Sequence, residues 1–343
     1  MKRITVLILG CSFLLNAGFA QQSVVLTFEN HALQAGVNNS MILCDYSDPG
    51  SGGYNMTWDF SFLKSTDDFT GTVLARTRSK SPGSFAESNV TLDEFSNRFY
   101  FVVSPEAIEQ IGYSAFDNAV VVTYDKPFVK MKFPFAMGDR YSGGFTGSMK
   151  TGSKVTALTG HYEVAADGCG KLLLPGMASA DNTLRVKTVK SYEMQVNGKT
   201  HQTVITTWRW YGCCNRYPLL VLSSIKTCAG SSVSWSYQAA YNNVINTRLP
   251  DSGGSLSPSV RAFPNPVTDR MTLEYTVAET GEVILELFNV SGRKITTLLN
   301  NRLDAGTYRL ELSPEIEGLT TGIYIVKACI NNSTLTEEFI ISR

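Results

Sequence analysis

The sequence predicts an all-β protein: an antiparallel body, either a β-sandwich or a barrel-like sheet, followed by a C-terminal immunoglobulin-like β-sandwich. The first observation behind this prediction is a recurrence of short alternating or β-branched runs, separated by clusters of Pro, Gly, Asn and Asp. The second is composition, since 43% of the 343 residues are hydrophobic and only 17% are charged. The 30 basic and 30 acidic residues balance, so no nucleic-acid partner is expected.

Residues 1–20 have the pattern of a signal peptide. Lys2 and Arg3 precede an apolar stretch at residues 4–15, and small residues lead up to a predicted cleavage after Ala20. This stretch is shorter than the ~20 residues that a membrane-spanning helix needs. The sequence therefore predicts Sec-dependent export to the periplasm and no membrane span in the mature chain.

Residues 21–250 are predicted to form the β-rich body. One segment departs from the strand pattern, because Ser104 can cap a helix, a proline follows it and Gly112 can end the helix. We expect a helix of at most two turns there. Asp167-Gly168 is interpreted as a hairpin turn. The strand-like runs of the body are residues 23–28, 69–75, 99–103, 120–124, 183–189 and 204–211.

A flexible linker is predicted at residues 251–259, which are turn formers and small polar residues without an apolar period. The tail, residues 260–343, contains short strands separated by turns, a spacing typical of an immunoglobulin-like sandwich. Its predicted strands are residues 271–277, 283–290, 294–299, 322–330 and 335–342, with further alternation at Tyr308, Leu310 and Leu312.

Several motifs follow one another in the tail: FPNP at residues 263–266, VILELFNVSGRK at 283–294, LDAGTY at 303–308 and GIYIVK at 322–327. With these motifs in this order at the C-terminus, the tail resembles the type A C-terminal sorting domain of the type IX secretion system of Bacteroidetes. The residues that carry the resemblance as a sorting motif are Pro264, Asn265, Pro266, Gly292, Gly306, Tyr308, Gly322 and Tyr324.

The resemblance implies a route of export and two partners. The tail would be recognised by the outer-membrane translocon of the type IX system, and a surface protease would often remove it. The body would then be released or anchored, so the expected location is the extracellular medium or the outer-membrane cell surface. No chemistry is implied for the tail itself.

A second resemblance concerns the body. Residues 49–61 (PGSGGYNMTWDFS) and 166–175 (ADGCGKLLLP) are similar to motifs of uncharacterised secreted Bacteroidetes proteins that have the same kind of tail. Because those proteins have no assigned activity, this resemblance implies a location and a fold class and no reaction.

Motifs of known catalytic and metal sites are missing from the sequence. It has no HExxH zinc motif, no Gly-x-Ser-x-Gly elbow and only three histidines. Two facing carboxylates could serve a glycosidase, but the sequence alone cannot pair them. We therefore predict no catalytic residue, no cofactor and no metal, and leave enzyme activity open.

Trp208 and Trp210 are two residues apart and project to one face of their strand, opposite Arg209 and Tyr211. On an exposed face the two indoles could stack on a sugar ring. The alternative is a core face, which the apolar run at residues 217–222 favours.

Six cysteines remain after removal of the predicted signal peptide. An exported protein can form disulfides. Cys213 and Cys214 lie in a predicted turn, and Cys228 lies beyond the next strand. We expect a disulfide that joins Cys228 to either Cys213 or Cys214.

These features lead to one main prediction and two alternatives. The main prediction is a secreted or cell-surface, non-catalytic β-protein that is exported through its sorting domain. The alternatives are a secreted glycan-directed hydrolase and a carbohydrate-binding module with a glycan ligand.

Overall fold

The structure is a computed structural model that describes residues 24–37, 39–75, 85–175, 179–196, 198–242, 245–249, 255–312 and 319–342. The predicted signal peptide lies outside these residues. Within them the chain forms one short helix, α1 (Phe28–His31), and 21 strands, which confirms the predicted all-β class. No helix in this part of the chain is long and apolar enough to cross a membrane.

Thirteen strands of the body form one sheet. They are β1 (Asn39–Cys44), β2 (Gly53–Asp59), β3 (Ser65–Ala75), β4 (Val90–Glu94), β5 (Asn97–Val103), β6 (Ala107–Ala115), β7 (Val120–Lys132), β8 (Arg140–Thr151), β9 (Lys154–Leu173), β10 (Ala180–Val196), β11 (Lys199–Gly212), β12 (Leu220–Ala229) and β13 (Ser232–Asn242). Their order in the sheet is β10-β11-β12-β13-β1-β3-β4-β5-β6-β7-β8-β9-β2, and β10 also pairs with β9. The β2–β9 pairing is parallel, whereas consecutive strands from β3 to β13 form antiparallel pairs.

The segment after Ser104 forms a strand, so the predicted helix is wrong. Ser104 Oγ accepts hydrogen bonds from the backbone N–H groups of Glu106 and Ala107, which makes only a local turn. β6 then begins and pairs with β5 and β7 on its two sides. Two strand partners supply backbone hydrogen bonds along the whole segment, and this outweighs the local capping signal.

β9 connects the two body segments that carry the second resemblance. Its residues 154–165 pair with β8, and from Gly168 onward β2 pairs with it in parallel register. Asp167-Gly168 thus lies inside a strand, and the predicted hairpin turn is wrong. A Cβ at Gly168 would lie 2.8 Å from Trp58 Cζ2, so this close strand pairing requires glycine.

The tail consists of two four-stranded sheets. Their inner faces share one core that includes Leu273, Leu285, Val326 and Phe339. The sheets have the orders β14-β19-β16-β15 and β18-β17-β20-β21. The strands are β14 (Ile245–Arg248), β15 (Ser259–Phe263), β16 (Met271–Val277), β17 (Gly281–Asn289), β18 (Lys294–Leu303), β19 (Gly306–Leu312), β20 (Gly322–Ile330) and β21 (Ser333–Ile341).

The body and the tail meet at β14 and at the turn after β11. The sequence assigns residues 245–248 to the body, yet they pair with β19 of the tail. Asn246 Oδ1 accepts a hydrogen bond of 2.9 Å from Tyr275 Oη, and the backbone oxygen of Cys214 accepts one of 2.9 Å from Asn301 Nδ2. The last strand before the linker region therefore belongs to a tail sheet.

Candidate functional site

The inner face of the body sheet surrounds a cavity with two adjoining lobes. The first lobe has a volume of about 340 Å³ and the second a volume of about 380 Å³. Ligand pockets commonly have volumes of about 300–1,000 Å³. The two lobes share the lining residues Asn97, Phe99, Thr188, Thr207 and Arg209.

Strand alternation explains why these residues meet in the interior. On β10 the positions Val186, Thr188 and Lys190 follow one another with a period of two, and all three line the cavity. On β11 the same holds for Thr207 and Arg209. The wall of the second lobe is largely aromatic and aliphatic, with Tyr113, Val122, Tyr124, Phe128, Phe145, Met149, Leu158, Met194 and Ile205.

Lys190 lies in an aromatic cage within the second lobe. Its Nζ donates a hydrogen bond of 2.9 Å to Tyr124 Oη and lies 4.6–4.9 Å from the ring centroids of Tyr124, Phe128 and Phe145. Burial lowers the pKa of Lys190 to about 7, and the charge of Lys130 lowers it further in the same direction. The part of the Lys190 side chain that is not covered by these rings faces the cavity.

Three charged residues of the first lobe, Glu94, Lys130 and Arg209, interact with one another electrostatically, and a fourth, Arg216, also lines this lobe. Burial lowers the pKa of Lys130 to about 8; the charge of Arg209 acts in the same direction and that of Glu94 opposes it. Burial raises the pKa of Glu94, which the charges of Lys130 and Arg209 oppose. Lys130 Nζ lies 5.1 Å from the ring centroid of Phe101. Within the described chain, no ion pair forms among the three.

Another polar atom in the first lobe lacks a partner. Asn39 lines this lobe, and its Oδ1 is buried without a hydrogen bond from any described residue. Buried polar atoms are normally hydrogen-bonded. The first lobe thus combines charged groups and an amide that are not satisfied by neighbouring side chains.

The β4–β5 turn separates the first lobe from solvent. A polar surface pocket of about 440 Å³ shares Glu94, Phe95 and Asn97 with this lobe. Phe95 and Ser96 have φ of 50° and 58°, and Phe95 is 47% exposed. This turn is therefore where a ligand could pass between solvent and the cavity.

α1 and the turn after β11 cover another part of the first lobe. His31 is buried, its Nε2 lies 3.2 Å from the backbone oxygen of Gly212, and its Nδ1 accepts a hydrogen bond from the Thr27 N–H. Burial lowers the pKa of His31 to about 4. Arg216 donates to the backbone oxygens of Glu29, Ala32 and Asn300, so it joins α1 to the tail.

Arg185 joins the two motifs of the body outside the cavity. Its Nε and Nη2 donate to the two carboxylate oxygens of Asp167 at 2.8 and 3.0 Å, and its Nη1 donates to the backbone oxygens of Pro49 and Gly50. The guanidinium also lies 5.3 Å from the Trp58 ring and 5.6 Å from the Trp210 ring. With all three guanidinium nitrogens hydrogen-bonded and only 2% of the side chain exposed, this cluster is structural.

The structure places Trp210 in the core, which corrects its interpretation as a stacking platform. Trp210 is 0% exposed and packs edge-on against Trp58 and Phe60. Trp208 is half-buried beside the same cluster, with Lys187 Nζ 5.7 Å from its ring centroid. Two other aromatic residues on the outer face, Trp235 and Tyr237 of β13, are 54% and 53% exposed and nearly parallel.

The predicted disulfide from Cys228 to Cys213 or Cys214 is wrong. The antiparallel β11–β12 hairpin places Cys228 opposite Gln202, at the end of β11 far from Cys213 and Cys214. All three cysteines are free thiols. Cys213 Sγ instead lies 2.7 Å from Cys214 Sγ at the junction of the body and the tail.

The residues of the predicted sorting motif lie at turns and edges of the tail sandwich. Asn265 accepts a hydrogen bond from the Ile340 N–H and donates to the backbone oxygen of Glu338, which attaches the chain before β16 to β21. Tyr308 Oη donates to the backbone oxygen of Asp304, and Tyr324 Oη donates to that of Thr320. Gly292, with φ of 76°, lies in the β17–β18 turn. Pro264 and Pro266 lie in the segment between β15 and β16, and Gly306 and Gly322 begin β19 and β20.

The comparison with protein families decides the nature of the tail. Residues 261–342 match the secretion system C-terminal sorting domain. The tail is a type IX sorting domain. It directs export through the type IX secretion system, implies contact with that machinery and makes this a secreted or cell-surface protein. No curated protein and no solved structure matches the chain.

Sequence reasoning missed the charged residues of the cavity. The signal was present on β10, where Lys190 interrupts a face of Leu184, Val186, Tyr192 and Met194 at a period of two. Because an exposed strand face also alternates, the sequence could not show that this face surrounds a cavity.

Proposed function

We propose that the body of this exported protein is a non-catalytic binding protein that holds a small ligand in the cavity of its sheet. The observation that carries the proposal is the pair of adjoining lobes, with an apolar wall and a few polar groups, of which Asn39 Oδ1 lacks a partner among the described residues. This combination is typical of small-molecule sites. A signal peptide at residues 1–20 and passage through the periplasm complete the proposed route.

Binding accounts for the cavity better than glycoside hydrolysis does. A glycosidase needs two carboxyl groups that face each other across the sugar. Among the described residues that line the two lobes, Glu94 supplies the one carboxylate. The predicted hydrolase therefore remains an alternative for which the described lining of the cavity does not supply the two carboxyl groups.

The test is binding of 1-aminoanthracene, a neutral apolar dye, to the mature chain. We expect a saturable rise in fluorescence with one site per chain. Leu158→Trp would fill the second lobe and should weaken dye binding at least tenfold, whereas Lys187→Met on the outer face should leave it within twofold. Absence of saturable binding, or equal binding by the Leu158→Trp variant, would contradict a cavity function.

A second candidate is carbohydrate binding at the outer face of β13. Trp235 and Tyr237 lie with an interplanar angle of 8°, and Tyr46 packs against Tyr237 at a centroid distance of 4.7 Å. Exposed aromatic faces of this kind can stack on sugar rings. We expect Trp235→Ala to reduce retention on immobilised polysaccharides while Trp208→Phe does not, and retention that is independent of Trp235 would remove this candidate.

A further inference from the structure

We propose that the ligand of the cavity is an amphipathic monoanion, with its anionic head between Lys130 and Arg209 and its apolar body in the second lobe. The proposal rests on the proposed function, because it assigns a ligand class to the same cavity. It goes further by naming the residues that select the charge.

The first argument is the excess of positive charge. Lys130, Lys190, Arg209 and Arg216 line the two lobes, against Glu94 as the carboxylate among the described lining residues. Placing cations in an apolar interior is costly unless a counter-charge is present. One anion in the cavity would reduce this excess, whereas a cationic ligand would increase it.

The second argument is the difference between the lysines. Lys190 has a hydroxyl acceptor and three aromatic faces around its Nζ. Lys130 has one aromatic face, at 5.1 Å, and no hydrogen bond to a described residue. The unsatisfied donors are therefore those of Lys130 and Arg209, and a guanidinium beside an ammonium suits a planar, two-oxygen head.

The third argument is the position of Arg209 relative to the apolar wall. Arg209 lines both lobes, whereas Lys130 lines the first. A head held by these two residues lies where the lobes adjoin, so its chain can extend along Phe128, Phe145 and Leu158 in the second lobe. This geometry requires a single charged end and an apolar remainder.

Protonation supports the same ligand class. Burial lowers the pKa of Lys130 to about 8, so this lysine is partly deprotonated above that pH in the free protein. The neighbours that face it are Glu94 and Arg209, with Lys190 further along the cavity. Because only the ammonium form attracts an anion, affinity for the anion should fall as pH rises from 7 to 9.

The experiment compares three ligands of equal chain length on the mature chain, by displacement of 1-aminoanthracene. Dodecanoate carries one negative charge, dodecanol none and dodecyltrimethylammonium one positive charge. We expect dodecanoate to bind at least tenfold more tightly than the other two at pH 7. Lys130→Met and Arg209→Met should each reduce dodecanoate affinity at least tenfold relative to the dye affinity of the same variant.

The controls separate this proposal from the proposed function. Lys187→Met, on the outer face, should change neither affinity, and Arg209→Lys, which keeps the charge but not the two-pronged contact, should lose less dodecanoate affinity than Arg209→Met. Equal affinity for dodecanoate and dodecanol, or tighter binding of dodecyltrimethylammonium, overturns the ligand class while dye binding leaves the cavity function intact. Failure of the dye and of all three ligands overturns both.

Discussion

Lys190 illustrates at the scale of one residue how a binding cavity lowers the stability of the empty protein. Its pKa of about 7 lies well below the ~10.4 of a lysine in water. Between these two values the unfolded chain binds more protons at this residue than the folded chain. Stability therefore rises with pH over this range, and it is lost as pH falls toward 7.

We predict that Lys190→Met stabilises the empty protein. At pH 7 the free energy of unfolding should increase by about 1–3 kcal/mol, since an apolar side chain replaces a buried amine without a counter-charge. The difference from the wild type should shrink as pH rises from 7 to 9.5. Urea unfolding followed by tryptophan fluorescence measures it, with the outer-face variant Lys187→Met as the control. A destabilised variant at every pH would contradict this account.

Arg185 differs from Lys190, because its buried guanidinium donates hydrogen bonds to a carboxylate, that of Asp167, and to two backbone oxygens. Removing it leaves the Asp167 carboxylate unpaired and two backbone oxygens unsatisfied. We predict that Arg185→Met lowers the free energy of unfolding by about 3–5 kcal/mol. All four tryptophans precede residue 250, so their fluorescence reports unfolding of the body.

The matched control for that variant is Arg98→Met. Arg98 also contacts an aspartate, Asp93, through two hydrogen bonds, but their side chains are about one-third exposed. Such a pair should contribute only about 0–1 kcal/mol. Equal losses from the two variants would show that burial does not distinguish the pairs.

At the scale of elements, strand bounds in the tail followed the sequence closely. Residues 271–277 and 322–330 were predicted as strands and form β16 and β20 with the same bounds. Their alternating apolar residues form one apolar face, and a single partner sheet packed on that side is enough to bury it. The same reasoning failed for the segment after Ser104, because its helix signals lie within the segment, whereas its strand partners lie outside it, in β5 and β7.

Gly112 provides a test of that element. In the helix that the sequence suggests, Gly112 lies at the C-terminal end, where an alanine side chain would meet no neighbouring strand. In the strand, its Cβ would lie 2.2 Å from Val122 O and 2.4 Å from Phe85 Cε1. We predict a loss of about 1–3 kcal/mol in unfolding free energy. Gly144→Ala in β8, with its nearest neighbour at 3.6 Å, is the control that should change little.

At the scale of the whole molecule, the sorting domain and the body share a boundary that is not a simple linker. β14 completes a tail sheet, and Arg216 connects α1 to the tail through Asn300. Export and the proposed ligand binding nevertheless use different parts of the chain. The residues that line the cavity all precede residue 242, whereas the sorting domain follows it.

We predict that deletion of residues 260–343 abolishes export. The truncated chain should accumulate in the periplasm and should still bind 1-aminoanthracene, which shows that its body is folded. Cell fractionation with antibody detection measures the location, and full-length Arg98→Met serves as the exported control. Continued delivery of the truncated chain outside the cell would refute the role of the tail.

The sequence by itself determined the β class, the sorting domain and thus the export of this protein, because alternation, turn residues and ordered motifs are properties of neighbouring positions. The tertiary structure decided that the inner face of the body sheet surrounds a cavity. Lys130, Lys190 and Arg209 lie on three strands that meet only through long-range pairing, and the same pairing buries Trp210 and separates Cys213 from Cys228. A strand pattern defines two faces, but only the curvature of the sheet decides which one encloses a cavity.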